Sequence, residues 1–183
     1  MAHIVVGISG ASGIRLAIRT LEVLEKEGHS VEVVFSKEAA LTATYELNGS
    51  LEKALEQFSV HDNSNLAASI ASGSFRTDGM LIIPCSMTTL AALAAGFGDT
   101  LLRRAADVTV KEGRPLVIVP RETPLHMHHI ENMLRLSKRG VKIVPPVPGW
   151  YAEPKTIEDV EDFIVAKALG QLRIEVDLYT RWK

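Results

Sequence analysis

The groups that could do chemistry fall in short polar clusters. Ser9-Gly10-Ala11-Ser12-Gly13 is the first, followed by Ser36-Lys37, Pro84-Cys85-Ser86-Met87-Thr88-Thr89, Pro120-Arg121-Glu122-Thr123, and Trp150-Tyr151 behind a proline loop. The first cluster belongs to Gly7-Ile8-Ser9-Gly10-Ala11-Ser12-Gly13, between the apolar run Ile4-Val5-Val6 and a helical pattern that begins at Ile14. A glycine- and serine-rich turn between a strand and a helix presents backbone N–H groups at the helix's positive end, which suits a phosphate. Glycine allows the sharp turn and the close approach of a ligand. The stretch is not a GxGxxG and lacks the P-loop lysine, so a plain strand–helix turn stays open as a reading. Ser86, Met87, Thr88 and Thr89 offer hydroxyls and N–H groups at another helix start, where ordinary N-capping is the alternative. Arg121-Glu122 is either a solvated ion pair of little worth or a cation beside an acid–base group. Cys85 has no evident base partner and reads as a buried small residue at a strand end.

These clusters need elements to bring them together. Apolar, β-branched-rich runs at residues 4–8, 31–35, 80–83, 116–119 and 141–144 predict strands. Helical patterns occupy 14–26, 37–47, 51–58, 87–95, 100–112, 125–139 and 156–172. Alternation of strand and helix with short connections predicts an open parallel sheet covered by helices on both faces. In such a sheet the carboxyl ends of the strands share one edge, where ligands bind. The hydroxyl clusters, Arg121, Glu122 and Tyr151 are therefore expected to converge on one cleft. Ala91, Ala92, Ala94, Ala95 and Gly96 would let a flat ring system approach closely.

The remaining composition narrows the classes. At 183 residues the chain fits one domain spanning 1–183, with 46% apolar and 23% charged residues. A net charge of -2 gives no electrostatic case for nucleic acid or an anionic membrane surface. No apolar run approaches a membrane span, and no leader pattern opens the chain. A single cysteine excludes an internal disulfide and points to a reducing, cytoplasmic setting.

In this order, the clusters resemble the flavin prenyltransferases, the UbiX family. The matching stretches are Gly7-Ile8-Ser9-Gly10-Ala11-Ser12-Gly13, Ser36-Lys37, Ala71-Ser72-Gly73-Ser74 and Pro84-Cys85-Ser86-Met87-Thr88-Thr89-Leu90-Ala91. Further on they are Arg104-Ala105-Ala106-Asp107-Val108 with Lys111-Glu112, Pro120-Arg121-Glu122-Thr123-Pro124-Leu125, and His129 with Glu131-Asn132-Met133. Pro148-Gly149-Trp150-Tyr151 with Pro154, and the terminal Arg181-Trp182-Lys183, complete the set. The resemblance implies a three-layer, Rossmann-like or flavodoxin-like fold. It implies a metal-independent enzyme that joins the dimethylallyl group of dimethylallyl phosphate to N5 and C6 of reduced FMN. The product, prenylated FMN, would pass to a UbiD-type decarboxylase. Family members assemble as dodecamers, with sites made at subunit boundaries.

Carried onto this chain, the resemblance implies that Gly10, Ala11, Ser12, Ser36, Ser86, Met87, Thr88 and Thr89 hold FMN. Arg104 would help hold the flavin site or an interface. Arg121 would touch both flavin and substrate phosphate. Glu122 would be the acid–base residue, with Ser12 positioning or relaying its proton. Lys111, Tyr151 and Lys167 would bind dimethylallyl phosphate, from more than one subunit. Many members carry arginine in place of Lys167, and some carry an aromatic where this chain has Asn63-Ser64-Asn65-Leu66. His126, His128 and His129 invite a metal reading, but neighbouring helical positions point different ways, so none is assigned. Competing readings are an FMN-dependent decarboxylase of the same fold and an FMN-binding accessory subunit without turnover.

Overall fold

The computed structural model describes residues 1–182, so Lys183 lies outside it. Six parallel strands form one sheet: β1 (His3–Ile8), β2 (Ser30–Phe35), β3 (Ser59–His61), β4 (Gly79–Cys85), β5 (Leu116–Pro120) and β6 (Lys142–Ile143). Their spatial order is β3-β2-β1-β4-β5-β6. Helices α1 (Ile14–Lys26), α2 (Lys37–Glu46), α3 (Leu51–Ala54), α4 (Met87–Ala95), α5 (Leu101–Lys111), α6 (Met127–Ser137) and α7 (Ile157–Gly170) connect and cover them. This is the open parallel α/β sheet that the alternating pattern predicts.

Strand alternation divides the core. Val6, Leu81, Ile83 and Val117 face one side, where they pack with Leu21 of α1 and Leu169 of α7. Val5, Met80, Ile82 and Ile118 face the other, against Leu93 of α4 and Ala106 of α5. Successive strand side chains point to opposite faces, so a strand covered on both sides must be apolar throughout. β4 meets that demand, being buried at every position. Each fully buried Leu or Ile contributes about 1.5–3 kcal/mol.

The strand order reverses between β1 and β4. The chain winds outward from β1 through β2 to β3, then returns to β4 on the other side of β1. A crevice opens at such a switch point, beyond the carboxyl ends. Buried Ser9 ties the two turns there. Its N–H and its hydroxyl both donate to the carbonyl of Pro84, at 3.2 and 3.1 Å. Its oxygen accepts from the N–H of Ser86 at 2.8 Å.

Differences from the sequence pattern lie at the edges. The helix expected over 51–58 stops at Ala54, and the three-residue strand β3 follows it. β6 is two residues long rather than four. Both are edge strands, where a ladder forms on one side only and Val60 stays exposed. α6 begins at Met127, after Pro124 and after the His126 N-cap, whose ring accepts from the N–H of His128. Among the described residues no helix is long and apolar enough to cross a membrane.

Candidate functional site

A cavity of about 360 Å³ lies over the switch point, where the starts of α2, α4 and α5 meet. Ser36, the N-cap of α2, lines it and accepts from Ala39 N at 3.2 Å. Ser86, the N-cap of α4, accepts from Thr89 N at 3.2 Å and hydrogen-bonds the Thr89 hydroxyl at 3.1 Å. Thr88 and Thr89 line the same wall. Thr100, the N-cap of α5, and Arg103 of its first turn line it too. That turn is capped from outside: Asn63 accepts from Leu101 N through its carbonyl and from Leu102 N through its side chain, both at 2.9 Å. The positive ends of these helices therefore meet in one hollow rich in hydroxyls, which suits a phosphate.

Gly10 closes the cavity on the first turn. A Cβ there would come within 2.9 Å of the Glu38 carbonyl carbon and nearer still to its Cβ. Its missing side chain is what lets α2 approach. Ala11 is buried and Ser12 exposed on the same turn, while Met87 packs against the second core face.

The start of α1 is capped from within the chain. Its N-cap, Gly13, has φ of 104° and offers no side-chain acceptor. Glu46, at the end of α2, supplies one. Its carboxylate accepts from Gly13 N at 2.9 and 3.0 Å and from Ile14 N at 2.8 Å. The first N–H groups of α1 thus meet an internal anion, and the opening for an external one lies at α2, α4 and α5.

Arg121 and Glu122 stand beside the switch point. Arg121 N donates to Cys85 O at 3.1 Å. Its Nε is buried and has no hydrogen-bond partner among the described residues, a state a bound acceptor would relieve. Glu122 is exposed, and its carboxylate accepts from Thr123 N at 2.9 Å. Burial pushes the Cys85 thiol up to about 12, so it stays protonated.

Not every expected residue joins this rim. Tyr151 packs edge-on against Phe163 and Trp182, with centroids 6.0 and 5.2 Å apart. Lys167 Nζ lies 5.8 Å from the same Phe163 ring, so Phe163 brings Tyr151 and Lys167 to one patch. Neither lines the cavity. Lys111 ends α5 and pairs with Glu112 at 2.5 Å. Glu112 abuts Gly73, and Arg114 donates to the carbonyls of Gly73 and Phe75, in the segment entering β4. Lys111 therefore sits at the amino edge of the sheet, opposite the cavity of its own chain. Arg104 is half-exposed and pairs with Asp107 at 3.3 Å; its neighbour Arg103 lines the cavity instead. His128 pairs with Glu131 at 3.4 Å. Among the described residues no group of three or more His, Cys, Asp or Glu could hold a metal ion.

Residues 1–169 match the Flavoprotein family model. Flavin prenyltransferase UbiX of Chlamydia pneumoniae is 47% identical, covering all of this chain and 98% of its own. The chain belongs to the UbiX family of flavin prenyltransferases. Among solved structures, AnUbiX (PadA1) in complex with FMN and dimethylallyl pyrophosphate is 41% identical, with a TM-score of 0.96, covering 100% of this chain and 97% of that one. A dodecameric FMN-dependent UbiX-like decarboxylase from Escherichia coli O157:H7 is 45% identical, with a TM-score of 0.94, each chain covered to 99%. Within this UbiX-family chain, sequence reasoning gave no part to Asn63 and Arg103, which line the cavity, or to Glu46, which caps α1. The absence of a capping side chain at Gly13 was a visible signal that α1 needed an acceptor, though not of which residue supplies it.

Proposed function

We propose that this chain is a flavin prenyltransferase that joins the dimethylallyl group of dimethylallyl phosphate to N5 and C6 of reduced FMN. The observation that carries this is the full-length likeness, at 41% identity, to a protein solved with FMN and dimethylallyl pyrophosphate. The site here fits the flavin: helix starts and hydroxyls suit its phosphate, and the buried Arg121 Nε lacks an acceptor. FMN supplies the nucleophilic ring positions when bound.

In this reading Gly10, Ala11, Ser12, Ser36, Ser86, Met87, Thr88 and Thr89 hold the flavin. Arg121 bridges flavin and substrate phosphate. The allylic C–O bond breaks with its electron pair on phosphate, and cations there stabilise the leaving group. N5 and C6 each lose a proton, the middle alkene carbon gains one, and the other leaves with phosphate. Glu122 moves these protons, with Ser12 positioned to relay. Tyr151 and Lys167 take the phosphate from their shared patch beside Phe163. Lys111, at the far edge of its own chain, acts in the site of a neighbouring copy. That requirement favours an assembly, up to the dodecamer of the Escherichia coli relative. The chain is one domain and cytoplasmic, and prenylated FMN passes to a UbiD-type decarboxylase.

The test is anaerobic incubation with reduced FMN and dimethylallyl phosphate, followed by the mass of the flavin. A gain of one five-carbon unit is expected. Unchanged flavin with carbon dioxide released from an acidic substrate favours a decarboxylase, and FMN bound without turnover favours an accessory subunit. Glu122→Gln should keep FMN and slow ring formation by roughly 10²–10⁴-fold; unchanged turnover removes Glu122 from the chemistry.

A further inference from the structure

Among the described residues lining the cavity at the starts of α2, α4 and α5, Arg103 is the one cation. It lies in the first turn of α5, three residues past Thr100 and beside the wall formed by Ser36, Thr88 and Thr89. A phosphomonoester carries close to two negative charges near neutrality. Hydroxyls and helix starts offset part of that charge, and a guanidinium offsets more while donating in a fork that fits phosphate oxygens.

Arg103 is also held in place. Asp99 accepts from its Nη1 at 2.8 and 3.1 Å, an i, i+4 pair on the entry to α5. That pair holds the Asp99 carboxyl below its usual range. Both bonds use Nη1, so Asp99 leaves Nη2 and Nε unengaged. The Arg103 side chain is about four-fifths buried, at 21% exposure, whereas Asp99 is 56% exposed. An anchored, mostly buried guanidinium beside a cluster of hydroxyls loses little entropy on meeting an anion.

We infer that Arg103 binds the phosphate of the flavin mononucleotide and sets the chain's preference for FMN over riboflavin. This rests on the flavin reading above. It moves the flavin-facing cation of α5 from Arg104, which pairs outward with Asp107, to Arg103.

The experiment compares FMN and riboflavin binding to the full-length protein by flavin fluorescence, with Arg103→Gln and Arg103→Lys alongside wild type. Arg103→Gln should weaken FMN about ten- to a hundredfold and riboflavin less than about twofold. Arg103→Lys should fall between, because a point charge replaces a fork. Both variants are checked by thermal melting, and the lysine variant carries the test should the glutamine variant not fold. Rising salt should erode the FMN preference of wild type more than that of Arg103→Gln. Equal losses for both flavins, or an unchanged FMN affinity, overturn the assignment while leaving the flavin site intact. A wild-type protein that binds neither flavin overturns the flavin reading itself, and this inference with it.

Discussion

Two helix starts in this molecule look alike in sequence and do opposite jobs. α1 and α4 each follow a buried strand of the switch point through a small polar turn, Ser9-Gly10-Ala11-Ser12-Gly13 and Ser86. At α1 the exposed N–H groups are taken by Glu46, a carboxylate from the end of another helix. At α4 the cap is the turn's own Ser86, and the wall beyond it opens into a cavity shared with α2 and α5. A helix N-terminus is an anion site by default. What occupies it is decided by the rest of the fold, so the local motif marks a candidate and tertiary packing chooses.

The comparison can be broken by substitutions, the first with the largest expected effect. Gly10→Ala places a Cβ against the Glu38 backbone and should push α2 away from the first turn. Overpacking of this kind costs about 1–3 kcal/mol, and FMN affinity should drop with the displaced Ser36. Undisturbed FMN binding by titration would show that α2 is not a wall of the site. Glu46→Ala leaves the N–H groups of Gly13 and Ile14 without their carboxylate. Urea unfolding should register a loss of about 1–3 kcal/mol, with the ratio of FMN to riboflavin affinity unchanged. A collapse of that ratio would mean that α1 carries the phosphate after all.

Ser86→Ala should do the reverse, costing about 1 kcal/mol of stability and lowering the FMN-to-riboflavin ratio several-fold. An unaltered ratio would reduce Ser86 to a plain cap. The smallest effect sharpens the boundary between site and core next to Ser86. The Cys85 thiol titrates near 9 when unfolded and at about 12 when folded. The folded state then holds a proton that the unfolded chain releases, so stability falls as pH rises from about 9 toward about 12. Cys85→Ala should remove about 1 kcal/mol of that decline by pH 10, measured as the difference between the two proteins' melts. Equal alkaline slopes would place the thiol nearer solvent than its burial indicates.

The parts of the fold that were readable from sequence are those where one force dominates. β1, β4 and β5 must be apolar on both faces, so their runs announce them, and Met87–Ala95 and Ile14–Lys26 start and stop at their glycine or serine punctuation. β3 was not readable, because Ser59 and His61 on the edge carry no apolar demand. The shared rim followed from topology, since parallel strands deliver their carboxyl ends to one edge. Glu46 did not follow, because it stands 33 residues from Gly13 and reaches it only through the packing of α2. Arg103 and Arg104 are neighbours on a helix, about 100° apart, and only the phase fixed by buried Leu102, Ala105 and Ala106 decides which meets the cavity. Lys111 shows why a local match does not say which copy's site a residue serves. Its match is local, but α5 carries it to the edge away from its own chain's site.

The most direct test of this division of labour is a crystal structure with FMN bound. The phosphate should lie within hydrogen-bonding distance of Ser36, the α4 turn and Arg103, with Glu46 still on the N–H groups of Gly13 and Ile14. A phosphate seated on those two N–H groups, with Glu46 displaced, would contradict it.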